Sequence, residues 1–416
     1  MKLLHVITTM DPHTGGPCQV IRNQAKWFVD QGHNFEVVCL NEAGSDFLSG
    51  HGFPIHALGA GRGPWRYHPE LMPWLRVNLP RFDAAILNGL WQYAGYALSK
   101  AAQLAGAPPY LVYPHGMLDP WFQRDPARRL KAVRNWCYWK FNEQGVIRRA
   151  EAVLFTCAEE MRLARHTFQP YQPKREVNVG LGVPPPPDYH PGMAEAFAKK
   201  CPGLNGEPHW LFLGRIHPKK GVDLLIKAYS ALYRSLGAIH RATIPKLVIA
   251  GPGLENGFGK QLQELAGEIC PPGSVLWPGM LNGAAKWGAV YKSEVFILTS
   301  HQENFGLAVV EAIACGKPVL ISNQVNIWRE IMEDQAGLVA PDTLEGAAQL
   351  FRRWESMSSE ARTTMSHAAK ISYEKRFGID AAAQHLTAVL HDLTERRRNH
   401  SATMGAEEAS RRAKQN

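Results

Sequence analysis

The 416-residue chain has no apolar run near the ~18 residues that cross a bilayer, which excludes a helical integral membrane protein. It also lacks paired cysteines. Its seven are an odd number, widely spaced and without a C-x-x-C, the usage of a reducing compartment with the cytoplasm as default, and most read as small buried hydrophobes. The 17 histidines include neither H-E-x-x-H nor a Cys/His cluster with zinc spacing, and no Walker loop is present. The opening Met1–Ile7 is too short for a signal h-region and runs into Asp11-Pro12-His13 without a cleavage pattern, so it reads as a first strand. What is present is ordinary globular material: 45% hydrophobic and 20% charged residues with 12 Trp and 16 Phe, enough for two or three domains.

Acidic charge is also scarce, leaving a net of +9, and the excess is local. Residues 124–149 carry eight basic side chains against two acidic, a net of +6, and residues 395–416 carry six against three, a net of +3. The rest of the chain balances to zero, so the excess needs a local explanation. No nucleic-acid recognition motif accompanies it.

Short β-branched runs (3–8, 35–40, 84–88, 110–114, 152–156, 176–180) alternate with helical patterns near 17–31, 93–105, 126–149 and 158–167, the signature of parallel βαβ units. The proline-rich stretch at 182–192 can neither continue a helix nor pair as a central strand, and marks a linker. The pattern then restarts, with strands near 210–214, 246–251, 275–278, 295–299 and 318–322. The expected organisation is α/β: residues 1–183 and 208–375 as two Rossmann-like, doubly wound parallel-sheet domains facing a central cleft, joined by a linker at 184–207. A helix at 376–394 returns to the first domain, and 395–416 is a flexible basic tail.

Three segments carry chemistry. Thr8–Pro17 leads from the first strand into a helix through Gly15-Gly16, where backbone N–H groups can approach an anion; the bland reading is a tight turn. Gly214-Arg215 and Lys220-Gly221 put cations and glycines at a strand-to-helix crossing, suited to a diphosphate, or form a solvated basic turn. Ser300–Gly316 joins a strand to a nearly all-apolar helix that contains Glu311. A carboxylate there needs a partner, either a pair of sugar hydroxyls or a neighbouring Lys or Arg. The N-terminus of that helix, near Phe305-Gly306-Leu307, offers backbone N–H groups to an anion.

Taken together, Gly214-Arg215, Lys220-Gly221 and Glu303-Asn304-Phe305-Gly306 with Glu311 eight residues after Glu303 resemble the E-x7-E retaining glycosyltransferases of family four, which have the GT-B fold. Gly15-Gly16, Leu247–Gly253 and Val275–Gly279 resemble further segments of the family in the right order. The resemblance implies that Arg215 and Lys220 hold and stabilise the donor diphosphate, with no metal and no cofactor. It implies that Glu303 contacts hydroxyls of the transferred sugar, that backbone amides around Asn304, Phe305, Gly306 and Leu307 hold sugar or phosphate, that Glu311 binds ribose hydroxyls, and that Gly16 offers its N–H to the diphosphate. His115, in Tyr113-Pro114-His115-Gly116, would orient a donor-sugar hydroxyl. Where many relatives have a histidine after the 84–88 strand, this chain has Asn88-Gly89-Leu90-Trp91. The family is thought to work by front-face attack, in which the β-phosphate oxygen takes the acceptor proton.

On a helix, Leu130, Val133, Cys137 and Phe141 share one side, with Arg124, Arg128, Lys131 and Arg134 on the other. Such a helix either docks on an anionic leaflet or packs its apolar stripe on the sheet and leaves a solvated basic face. The expected function is transfer of a hexose-type sugar from a UDP- or GDP-sugar to a hydroxyl of a saccharide or lipid-linked acceptor, in envelope or extracellular polysaccharide synthesis. The site would be cytoplasmic or peripheral on the inner face of the plasma membrane. A nucleotide-sugar 2-epimerase of the same architecture and a non-catalytic sugar-nucleotide binding protein are the alternatives.

Overall fold

A computed structural model describes residues 1–14, 16–124, 129–237 and 243–413, with the side chains of residue 124 and of 398 onward left out. Gly15 and Arg128, and the side chain of Arg124, therefore lie outside the described residues. The chain forms two compact units, one comprising Met1–Gly182 with the chain from Ile379 onward, the other Val183–Gly378.

The first unit is a seven-stranded parallel sheet. Its strands are β1 (Lys2–Ile7), β2 (Asn34–Cys39), β3 (Ile55–Ala57), β4 (Ala84–Asn88), β5 (Tyr110–Tyr113), β6 (Ala152–Phe155) and β7 (Glu176–Asn178), in the order β3-β2-β1-β4-β5-β6-β7. Helices cover the sheet, so central strands such as Ala84–Asn88 are buried along their whole length and read as unbroken apolar runs. The strand order reverses between β1 and β4, where Ile7 pairs with Asn88. In a parallel sheet that is the point at which ligands collect, outside the carboxyl ends of the strands.

The second unit repeats the design with six parallel strands: β8 (His209–Leu213), β9 (Lys246–Ala250), β10 (Val275–Gly279), β11 (Val295–Leu298), β12 (Val319–Ser322) and β13 (Gly337–Ala340), in the order β10-β9-β8-β11-β12-β13. Its switch point lies between β8 and β11, so the loops that follow these two strands, 214–220 and 299–306, are neighbours.

Two expected segments come out differently. The stretch 184–207 holds a helix, Pro191–Lys200, which belongs to the second unit and packs against the Gly283–Lys292 helix. Pro191 occupies the first helical turn, where its missing N–H costs nothing, and Met193 and Phe197 are buried one turn apart. A Cβ on Gly288 would stand 2.0 Å from the Met193 carbonyl oxygen, so glycine there permits the close helix contact. The last helix, Ile379–Ala413, runs well past residue 394, where a loose tail was expected. It joins the first unit through Trp27 Nε1, which donates to Asp380, and through an Arg175–Asp392 ion pair at 2.6 Å.

The basic segment is also broken up. An α-helix at Arg129–Tyr138 passes into a π-helical stretch at Trp139–Glu143 and then an α-helix at Gln144–Arg149. Its inward side is Asn135, Trp139 and Glu143, spaced by four. Trp139 is fully buried and stacks on Phe168 at 4.9 Å. The side with Leu130, Val133, Cys137 and Phe141, which could have packed on the sheet or been left free to dock, faces solvent.

Candidate functional site

In the second unit, β8 ends at Leu213 and the chain turns through Gly214, exposed Arg215 and a 3-10 turn, Pro218–Lys220, into the Val222–Ser235 helix. His217 caps the turn, its Nδ1 accepting from the Lys219 N–H at 3.1 Å. Gly221 adopts φ +61, and a Cβ there would stand 2.1 Å from the Thr299 carbonyl oxygen, so only glycine lets this loop approach the one after β11. The two loops are joined by the Thr299 hydroxyl donating to Gly221 O (2.8 Å) and the His301 N–H donating to Lys219 O (2.8 Å).

The second loop is pinned from the other side. Glu303 donates its N–H to Gln324 O and accepts the Asn326 N–H on its carbonyl, both at 2.9 Å. Its side chain meets Lys220 Nζ in a partly buried ion pair. Burial, with Lys219 and Arg215 adding repulsion, lowers the Lys220 ammonium pKa to about 7. Contact with the Glu303 carboxylate works in the opposite direction. The ion pair prevails and keeps Lys220 charged, because the two groups touch and neither is fully removed from water. Phe305 is buried edge-on to Phe377 (5.8 Å), and Gly306, at φ +78, caps the Leu307–Ala314 helix. Glu311 lies on that helix and is half-buried rather than enclosed. Its partner is Lys286, at 2.6 Å, which also lies 4.6 Å from the ring of Trp287. The structure thus brings together Lys220 with Glu303, and Glu311 with a lysine that no sequence motif marks.

In the first unit, Gly16 begins the Gly16–Asp30 helix, and a Cβ there would meet open space. His115 follows β5 in a left-handed turn with Gly116 (φ +52 and +79). A residue with a Cβ resists that conformation, and a buried carboxylate holds it in place: Glu160 accepts the Gly116 N–H (2.5 Å) and the Thr156 N–H (2.7 Å). Trp91, after β4, is a second left-handed residue (φ +70) and is pinned in the same way, its N–H donating to Glu143 at 2.6 Å.

The hydrogen bonds around Asn88 fix the state of His115. Asn88 Nδ2 donates to Ile86 O (3.1 Å) and to His5 Nδ1 (3.2 Å), which uses both its protons. Its Oδ1 can only accept and faces His115 Nε2 at 3.0 Å, so that nitrogen carries the proton and Nδ1 is left as an acceptor. Burial holds both His5 and His115 down to about 3, hence neutral at any physiological pH. Asn88 therefore sets the His115 tautomer. His5, which no sequence motif marks, is the other histidine that the Asn88 side chain meets.

With this geometry in view, the chain can be compared with known proteins. A family described as "Glycosyl transferases group 1" matches residues 195–372, and one described as "Glycosyl transferase 4-like domain" matches residues 15–182. Between them they span most of the chain. The chain carries a group 1 glycosyl transferase domain and a glycosyl transferase 4-like domain, the make-up of a family-four-like GT-B protein. Among curated relatives of the family, a "D-inositol 3-phosphate glycosyltransferase" of Saccharomonospora viridis is 28% identical over 242 residues, 56% of this chain and 54% of that protein. One of Jonesia denitrificans is 32% identical over 211 residues, 48% and 47% of the two chains. The chain spans about half the length of the curated relatives it matches. In fold it is similar to the crystal structure of Anabaena Alr3699/HepE in complex with UDP and glucose (TM-score 0.71, 18% identity, 94% of this chain and 100% of that one). It is likewise similar to a glycosyltransferase from Rickettsia africae (TM-score 0.72, 15% identity, 94% and 98%). The GT-B fold class of two Rossmann-like domains is thereby shown.

Proposed function

We propose that the protein is a retaining glycosyltransferase of hexosyltransferase type. It moves a sugar from a UDP- or GDP-sugar to a hydroxyl of a saccharide or lipid-linked saccharide, at the inner face of the plasma membrane and in envelope or extracellular polysaccharide synthesis. The observation that carries this reading is the Lys220–Glu303 ion pair at the β8/β11 switch point. An incoming diphosphate offers Lys220 a better counter-charge than one carboxylate, and the exchange releases Glu303 to accept hydrogen bonds from sugar hydroxyls. Arg215 adds a second cation, so leaving-group charge is stabilised without a metal. Glu311, steadied by Lys286, accepts from the ribose hydroxyls. A UDP- and glucose-bound fold relative and relatives named for glycosyl transfer support a nucleotide-sugar donor.

The chemistry balances with the substrates alone. The bond from the anomeric carbon to the β-phosphate oxygen breaks, its electron pair staying on the phosphate. The acceptor oxygen bonds on the same face, and its proton passes to that phosphate oxygen. His115, neutral and protonated on Nε2, presents Nδ1 to a donor-sugar hydroxyl, which must donate.

The test has two readouts. In a thermal-shift panel of UDP, GDP, ADP and their sugars, one nucleotide series should raise the melting temperature by mass action, by the equivalent of about 2.7 kcal/mol at a hundred times Kd. Nucleoside diphosphate should then appear only when acceptor is supplied, with the anomeric configuration kept. Release that needs no acceptor would point to an epimerase, and no shift with any nucleotide would overturn the donor assignment.

A further inference from the structure

Well-packed helices hide their apolar side. The helix Arg129–Tyr138 and the π-helical stretch after it do the reverse. Their inward residues are Asn135, Trp139 and Glu143, while Leu130 is 89% exposed, Phe141 86%, Val133 63% and Trp136 51%, with Cys137 exposed among them. Leaving a Leu or Phe in water forgoes the gain of burying it, and such an exposed run marks an interaction surface.

The charges on the same surface say what kind of partner fits. Arg129, Lys131, Arg134 and Lys140 are all exposed along the stripe, and the one acidic residue of the segment, Glu143, is buried on the opposite side. Lys140 lies over the Trp136 ring at 5.2 Å and Arg134 over Trp65 at 5.5 Å, so the cations sit beside indole rings at the border of the apolar stripe. A second copy would bring like charges together. A nucleic acid would leave Leu130, Val133 and Phe141 uncovered. An anionic bilayer satisfies both features, taking the apolar side chains at the acyl boundary and the cations at the phosphates.

We infer that the Leu130–Phe141 face is a docking surface for an anionic lipid bilayer. It lets the first unit lie on the membrane without any spanning segment; among the described residues no helix is long and apolar enough to cross one. The inference gives the membrane-side location proposed above its physical basis and rests on that reading for its biological sense. Vesicle binding is measured without turnover, so the two can fail separately.

The full-length protein should sediment with phosphatidylcholine vesicles that contain phosphatidylglycerol, far less with pure phosphatidylcholine, and progressively less as salt is raised. An environment-sensitive fluorophore on exposed Cys137 should shift to the blue when anionic vesicles are added. Lys131→Ser with Arg134→Ser should lower the partition coefficient roughly 25-fold, about fivefold for each cation lost. Leu130→Ser with Phe141→Ser should lower it at least tenfold while leaving the melting temperature, and its shift with nucleotide, unchanged. Wild-type protein that stays in the supernatant overturns the inference. So does sedimentation that the Leu130/Phe141 double variant retains, or a dimer that this variant abolishes, which would make a second copy the occupant.

Discussion

The two units solve the same problem, a polar site at the switch point of a parallel sheet, in opposite ways. The first holds several of its titratable groups neutral by burial. His5 and His115 are kept down to about 3, Glu143 is pushed up to about 8, and Tyr113 is raised well above its ordinary range, in each case chiefly by loss of water. The second keeps its charges and pairs them, Lys220 with Glu303 and Lys286 with Glu311. A neutral, dry site sets hydrogen-bond direction for uncharged hydroxyls. A site of paired charges is ready to exchange an internal partner for a ligand's diphosphate. Stability should therefore respond to pH through the first unit, and activity to charge removal through the second.

The largest effect expected from this contrast is on stability. Glu143 is fully buried, and one of its carboxylate oxygens, Oε2, has no hydrogen-bond partner among the described residues. With a folded pKa near 8 against an ordinary 4.5, the folded protein keeps its proton across a window in which the unfolded chain loses it. Rising pH between those values therefore favours unfolding, and the slope ends once the folded carboxyl also ionises above about 8. At about 1.4 kcal/mol per pKa unit this amounts to roughly 5 kcal/mol. Glu143→Gln keeps the acceptor for the Trp91 N–H and removes the titration; His5 and His115 add the same opposite slope to both proteins below about pH 6.5, so the variant's urea midpoint should gain steadily on the wild type's from about pH 4.5 to 8. A variant whose midpoint runs parallel to the wild type's would place the buried charge elsewhere.

Next in size is Lys220→Ala. It removes the cation that the diphosphate is proposed to recruit and leaves Glu303 without its counter-charge, so turnover should fall by roughly 10²–10³, the loss typical of a missing charge-stabilising donor. Lys220→Arg should restore part of it. If the alanine variant turns over normally with the donor and acceptor in steady-state assays, the ion pair is only structural.

The sequence exposed one of these strategies far better than the other. Strand and helix periodicity marked every strand of the two sheets except β3 and β13, and the spaced Gly214–Gly221 and Glu303–Glu311 segments marked most of the candidate second site, because a loop suited to phosphate needs glycines and cations at fixed offsets. The first site left almost no mark. Its decisive residues, His5 and Asn88, sit within strands far apart in sequence and meet only because β1 and β4 are neighbours. The Pro191–Lys200 helix was hidden behind the proline run that precedes it. The stripe on the basic helix was visible as a pattern, but which side faces water depends on Trp139 filling the core beside Phe168. Lys286 was silent for a related reason, being joined to Glu311 across 25 residues by two helices whose packing no single sequence displays.

That silent lysine supports the smallest of the predictions. Lys286 is half-exposed, so its attraction for Glu311 is worth about a kcal/mol at most. Its role in the proposed site is to hold the carboxylate at one rotamer, pointing its free lone pairs at a ribose. Lys286→Ala should therefore weaken donor binding only about two- to fivefold and leave kcat unchanged. Glu311→Ala should weaken it roughly tenfold or more, by removing charged hydrogen bonds outright. The same two variants should lose preference for the ribonucleotide over its 2′-deoxy counterpart, because that hydroxyl is what the carboxylate reads. Titration calorimetry with both nucleotides measures it. Equal loss of affinity for the two would show Lys286 and Glu311 to be a plain ion pair bracing adjacent helices, and the charge pairing of the second unit would then be preparation for ligand at Lys220 alone.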